Sequence, residues 1–200
     1  EEYELVSREV CNEELGENDF TRKVLPRKIE NLVKESKDWI LIGGPPCQAY
    51  SVVGRSRNKG IKGYKPEEDG RHFLYEEYLN VIYNHWPSIF VMENVKGLLS
   101  SKIKGQSIFG QILKDLSNPQ GALEGHYNDT KDKSKTYKIH ALTENSETDL
   151  FENFGLLPRD YVLKSEQYGI PQTRHRVILV GVRGDIDGAP RSLQEKSPVT

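Results

Sequence analysis

Three short stretches of the chain carry side chains able to do covalent chemistry. Gly43-Gly44-Pro45-Pro46-Cys47-Gln48-Ala49-Tyr50-Ser51 sets a thiol directly after a rigid Pro-Pro pair. Met92-Glu93-Asn94-Val95 ends an apolar run in a carboxyl. Gln172-Thr173-Arg174-His175-Arg176 spaces two guanidinium groups by two residues, just ahead of another apolar run. A thiolate is strongly nucleophilic even when only a few per cent of it is ionised near neutrality. A carboxyl in reach can give or take a proton, and a guanidinium can neutralise charge that builds up on a bound oxygen. Each stretch also has a plain reading. A single Cys is most often a small buried hydrophobe. Glu93 suits a helix start. Arg174 and Arg176 alternate with Thr173 and His175, as on the solvent face of a strand. A Pro-Pro turn is odd for a core cysteine, however, and the three plain readings would all have to hold independently.

Such groups need a frame to bring them together. Trp39-Ile40-Leu41-Ile42, Ile89-Phe90-Val91-Met92 and the run from Val177 to Val182 are apolar and bounded by turn residues. Runs of this kind suit strands buried on both faces. Helical spacing lies between them, in Leu74, Tyr75, Tyr78, Leu79, Ile82 and Tyr83, and again in Ile108, Phe109, Ile112, Leu113 and Leu116. Ile29, Leu32 and Val33 give a shorter version. The alternation predicts an α/β fold with a twisted, mostly parallel sheet. Ligands of open α/β sheets bind beyond the carboxyl ends of the strands, where the thiol and the carboxyl stand. Two stretches break the rhythm. Residues 53–72 are basic and rich in glycine, and residues 117–155 are polar and read as an insertion.

Composition narrows the classes further. The 200 residues are 36% hydrophobic and 29% charged, with a net charge of −2. That is enough apolar material for the core of one domain. No apolar run reaches the roughly 18 residues of a membrane helix. Two cysteines, Cys11 and Cys47, make no disulfide framework. With no basic-led apolar leader in view, they point to a reducing, cytoplasmic setting. The first residue is Glu rather than Met, which reads as a partial chain. No metal is called for. The charge is uneven: residues 1–20 carry eight acids against Arg8, whereas residues 55–65 carry Arg55, Arg57, Lys59, Lys62 and Lys65 and no acid.

Taken in chain order, the motifs resemble those of the cytosine C5-specific DNA methyltransferases. Gly-Gly-Pro-Pro-Cys47-Gln-Ala-Tyr-Ser-Val-Val-Gly-Arg resembles the family's catalytic loop. Met-Glu93-Asn94-Val95-Lys-Gly-Leu-Leu resembles its Glu-Asn-Val motif. Gln167-Tyr-Gly-Ile-Pro-Gln172-Thr-Arg174-His-Arg176-Val resembles its Gln-x-Arg-x-Arg motif. Asp69-Gly-Arg71-His-Phe-Leu74-Tyr75 looks like the segment between the first two. The likeness covers roughly residues 39–116 and 160–183 and implies a Rossmann-like fold for S-adenosylmethionine, with helices on both faces of the sheet. It makes residues 1–200 a catalytic domain incomplete at both ends, without the glycine-rich first motif or the target recognition domain. Residues 1–25 match more weakly. There the resemblance offers Glu9 for the ribose and Asp19 for the adenine of the cofactor, with Pro46 and Leu74 lining it.

The resemblance also assigns roles. Cys47 adds to C6 of cytosine, because C5 alone is a poor nucleophile. Glu93 holds a proton toward N3, Arg176 binds O2, and Arg174 holds the Cys loop or a phosphate. C6 is out of reach in a stacked duplex, so the base is flipped out at a cost of a few kcal/mol. Gln48, Ser51, Arg55, Arg57 and Gln172 are then expected on double-stranded DNA, with the glycine-rich loop 53–71 as a mobile lid. The expected protein is a monomeric prokaryotic enzyme of a restriction-modification system. Three alternatives share these residues: an RNA cytosine C5 methyltransferase, a non-catalytic nucleic-acid-binding paralogue, and a Cys-His hydrolase. The last would draw its partner from His72, His85, His126, His140 or His175.

Overall fold

The computed structural model describes residues 10, 12–16, 18–45, 75–103, 105–125, 132–143 and 157–196. The chain divides into two compact units, Glu1–Lys37 and Asp38–Thr200. In the first unit a π-helical turn, Phe20–Val24, runs into helix α1, Leu25–Val33. Pro26 opens α1, where a missing N–H costs nothing. Its apolar side chains are not buried within the unit, and Leu32 is 77% exposed.

The second unit holds a five-stranded sheet. Strands β1 (Ile40–Gly43), β2 (Ile89–Val95), β5 (Tyr137–His140), β6 (Val162–Lys164) and β7 (His175–Arg183) run in the order β1-β2-β7-β5, with β6 also on β7. A separate two-stranded ribbon joins β3 (Lys102–Ile103) to β4 (Gln106–Ser107). Strand β2 alternates by the period-two rule, burying Phe90, Met92 and Asn94 on one face. Helix α2 (Tyr75–His85) covers that face with Tyr75, Tyr78, Leu79 and Ile82 at one-turn spacing. Helix α3 (Ile108–Ser117) adds Phe109, Ile112 and Leu116, and Ser107 caps it by accepting from the Gly110 N–H at 3.2 Å. Helix α4 (Pro119–Glu124) is capped by Asn118 at its start and closed by Gly125 at φ 72°, a left-handed position that suits glycine.

One close approach needs a glycine as well. Phe90 faces Gly181 across the β2–β7 ladder, and a Cβ at Gly181 would run into the Phe90 ring. The Tyr137 ring lies 5.0 Å from that of Phe90 and stacks on Trp86 at 6.2 Å, extending the core to β5. Buried Asp115 is satisfied by the Tyr75 hydroxyl at 2.5 Å and the Gln111 amide at 2.7 Å.

The α/β class expected from the sequence holds, with two differences in detail. Only β1 and β2 pair in parallel; β2–β7, β5–β7 and β6–β7 are antiparallel, so the described sheet is mixed rather than mostly parallel. Parallel neighbours need a long crossover. The segment from β1 to β2 includes one in α2, whereas β6 and β7 are joined by the ten residues 165–174 without an α-helix. Among the described residues of this unit, α2 and α3 cover one sheet face, while Ile40 and Ile42 on the other are 58% and 75% exposed. Within 117–155, read above as an insertion, lie α4 and the sheet strand β5; residues 126–131 and 144–156 fall outside the described residues. No described helix is long and apolar enough to cross a membrane.

Candidate active site

The site is built where β2 and β7 run side by side. Their register sets Glu93 opposite Ile178 and Val95 opposite Arg176. Glu93 and Arg176 therefore share one sheet face as diagonal neighbours, close enough for long side chains to meet. Arg176 Nε lies 2.7 Å from Glu93 Oε1, with the side chains 25% and 43% exposed. The distance makes an ion pair, but Nε has no hydrogen-bond partner, so its N–H is not aimed at the carboxylate. The Nη1 group donates to the His175 carbonyl at 2.8 Å and braces the guanidinium against its own strand.

The same carboxylate meets the segment that leads to the thiol. A Cβ built on Gly44 would stand 3.2 Å from Glu93 Oε2. Asn94, 3% exposed, donates from Nδ2 to the Pro45 carbonyl at 3.4 Å, and its Oδ1 accepts from the Val95 N–H at 2.8 Å. One residue earlier, Gly43 passes under the Tyr78 ring so tightly that a Cβ there would come within 2.5 Å of it. The Tyr78 hydroxyl donates to the Val91 carbonyl at 3.0 Å, and burial pushes this phenol's pKa well up. The exit of β1 is thus clamped by Tyr78 and Asn94 from the face that α2 covers and by Glu93 from the other.

A second clamp holds the entry to β7. The Ser165 N–H and Oγ both donate to the Arg174 carbonyl, at 3.0 and 2.8 Å. His175 Nε2 lies 2.6 Å from Glu166 Oε1. That hydrogen bond holds the Glu166 carboxyl below the usual carboxylate range. The Arg174 side chain is exposed, and so is Gln172, whose N–H closes a turn onto Ile170 O at 2.7 Å.

The structure therefore brings Glu93 and Arg176 together and sets Arg174 and Gln172 at the solvent edge nearby in the chain. Asp19 lies in the first unit, 85% exposed and 3.0 Å from Lys23. Glu9, Pro46, Cys47, Gln48, Ser51, Arg55, Arg57 and Leu74, with the loop 53–71, lie outside the described residues. So do His72 and His126, while His175 is engaged with Glu166. Asn94, Ser165 and Glu166 had no assigned role in the sequence. Asn94 stood inside the Glu-Asn-Val motif, whereas Ser165 and Glu166 carried no signal.

A family model described as C-5 cytosine-specific DNA methylase matches residues 18–120 and 134–198. The type II methyltransferase M.Bpa9945I of Bacillus paralicheniformis is 32% identical over 187 residues, covering 89% of this chain and 34% of that protein. M.BbvI of Brevibacillus brevis is 35% identical over 149 residues, 74% of this chain and 28% of its own length. The chain thus spans about a third of these curated relatives. A solved methyltransferase of Entamoeba histolytica, EhMeth, aligns at 17% identity with a TM-score of 0.44, over 97% of this chain and 45% of that one, a likeness too slight to bear on the fold.

Proposed function

The chain belongs to the C-5 cytosine-specific DNA methylase family, and from that premise we propose that the complete protein is a DNA (cytosine-5)-methyltransferase of the type II kind. The observation that carries this reading is the convergence of three motifs on one sheet end: the Glu93–Arg176 pair, the Gly44 backbone against the Glu93 carboxylate, and the Asn94–Pro45 hydrogen bond. Pro45 lies two residues before Cys47, and two residues of chain reach at most about 7 Å.

In the proposed reaction Cys47 is the nucleophile. Its thiolate forms a bond to C6 of a flipped-out cytosine, and the electron pair displaced from the ring is met by a proton at N3. Glu93 holds that proton. Arg176, braced by the His175 carbonyl and with an Nε donor in hand, neutralises the charge that gathers on O2. When C5 later gives up its own proton to water, N3 returns its proton to Glu93, the C6–sulfur bond breaks and the thiolate returns. Arg174 and Gln172, exposed at the entry to β7, face the DNA strand, with Gln48 and Ser51 of the catalytic loop and Arg55 and Arg57 of the glycine-rich loop.

The family's methyl donor is S-adenosylmethionine, which supplies an electrophilic methyl group on a sulfonium. Of the residues assigned to it, Asp19 is described, and its chemistry fits. Its carboxylate is exposed and its partner Lys23 is 68% exposed, so it remains open to the donors of a nucleoside. Glu9, Pro46 and Leu74 would complete that set.

DNA containing 5-fluorocytosine tests the proposal in the complete protein. Fluorine at C5 cannot leave as a proton does, so wild type is expected to stay covalently attached and Cys47→Ala to stay free. Attachment of the Cys47→Ala protein would remove Cys47 from the mechanism. No methyl transfer by wild type to mixed-sequence DNA would remove the function itself.

A further inference from the structure

The end of the sheet that carries Glu93 and Arg176 opens on its flank into a cavity of about 440 Å3. Three cations from three elements reach it. Lys96 begins the 3-10 turn that follows β2, next to Val95, the register partner of Arg176. Lys164 is the last residue of β6, opposite His175. Arg159 comes from the turn Pro158–Tyr161 that leads into β6.

Two acids also line the space, Asp160 and Glu195, leaving three positive charges against two. Of the two, Asp160 is not a free counter-ion. Asp160 is 12% exposed, accepts from the Leu157 N–H at 2.8 Å and lies 3.9 Å from Arg159 Nε. It is already committed to its own turn. Among the described residues Lys96 and Lys164 form no ion pair. A volume of this size falls within the range of roughly 300–1,000 Å3 usual for ligand sites. The lining does not suit an apolar ligand, because Val162 is its one aliphatic side chain, whereas Gln167 and Thr143 add polar groups.

We propose that this cavity seats a phosphodiester of the nucleic acid strand beside the flipped base, with Lys96 and Lys164 as its point charges and Gln167 as a neutral donor. The inference rests on the DNA methyltransferase reading. Lysine suits the role: its ammonium is a compact charge with three donors on a flexible stem, which can follow a phosphate without demanding one geometry. Arg159, 81% exposed, stands at the rim. A phosphate here fixes where the strand runs past the sheet end. It reads no base, since backbone contacts position the duplex and base edges specify it.

The test is the salt dependence of DNA binding by the complete protein. Log affinity against log salt for a mixed-sequence duplex is compared for wild type, Lys96→Gln, Lys164→Gln and the double variant, with Lys138→Gln as a control on an exposed lysine outside the cavity. Each lost phosphate contact lowers the slope by about 0.9. Because the two lysines share one phosphate, the double variant is expected to fall by about 0.9, with weaker binding to every sequence alike, and the control to keep the wild-type slope. If the double variant does not fold, the single variants decide, each by its own drop. A wild-type slope in the folded variants would overturn the proposal. So would loss of inorganic phosphate binding with the DNA slope intact, which would make this a site for a free anion. The underlying reading fails separately: wild type would then not methylate DNA at all, whatever the slopes.

Discussion

At the scale of single residues the site turns on what Glu93 does besides pairing with Arg176. Glutamine at 93 keeps the shape but holds no carboxyl proton and drops the ion pair. Glu93→Gln is therefore expected to slow single-turnover methyl transfer in the complete protein by about 10²–10⁴, the usual contribution of proton transfer. A rate within a few-fold of wild type would leave Glu93 as an ion-pair partner and nothing more. Glu166 gives a prediction in pH. Its hydrogen bond to His175 lowers its folded-state value below the unfolded one, so the folded protein releases this proton more readily. The stabilisation is present above the ordinary glutamate range and is lost as pH falls through the lowered folded value. The gap in melting temperature between wild type and Glu166→Gln should be open at neutral pH and close in acid. A gap that widened on acidification would contradict the assignment.

At the scale of elements, the exit of β1 is the sensitive point. Gly43 lies under Tyr78 and Asn94 ties Pro45 to β2, so the loop toward Cys47 leaves the sheet from a clamped position. Gly43→Ala must push the Tyr78 ring aside. A loss of about 1–3 kcal/mol is expected from such overpacking, read by denaturant titration, together with slower transfer. Asn94→Ala leaves the Val95 N–H without its side-chain acceptor and the Pro45 carbonyl without a donor. It should cost about 1–3 kcal/mol and lower the transfer rate more than its effect on DNA affinity accounts for. Unchanged rates in both folded variants would mean that the clamp does not position the nucleophile's loop.

At the scale of the whole molecule, one cluster supports the site from behind. Phe90 and Met92 on β2, Val177 and Leu179 on β7, and Leu79, Ile82, Ile112 and Leu116 on the helices all sit in it, each 2% exposed or less. The face of β2 opposite Glu93 is therefore anchored in the core. Phe90→Ala should cost about 3–5 kcal/mol, and at this size a melting point falls about 2–4 °C per kcal/mol. Calorimetry would check it, and a drop under 3 °C would mean that the cavity collapses around the lost ring. Methyl transfer itself is a property predicted for the complete protein, since this chain spans 34% of the length of M.Bpa9945I.

What the sequence determined by itself were the parts with a strong local signal. Strands β1, β2 and β7 were legible because each is an apolar run ended by turn residues, and the helices because their apolar residues recur every turn. The motifs around Cys47, Glu93 and Arg176 were legible because their residue types and order are specific. The strand limits were not. Strand β2 runs on to Val95 and β7 starts at His175, so Glu93 and Arg176 lie inside strands rather than beyond them. Ladder hydrogen bonds, not hydropathy, carry those polar residues. Strands β5 and β6, four and three residues long, are too short to show a period. Only the tertiary structure decided that β7 runs antiparallel to β2, and with it that Arg176 falls diagonally across from Glu93. Their encounter depends on the register of strands about 80 residues apart in the chain, and register is set by the packing of Phe90 into Gly181 and by the core around them. No local pattern at either motif contains that information.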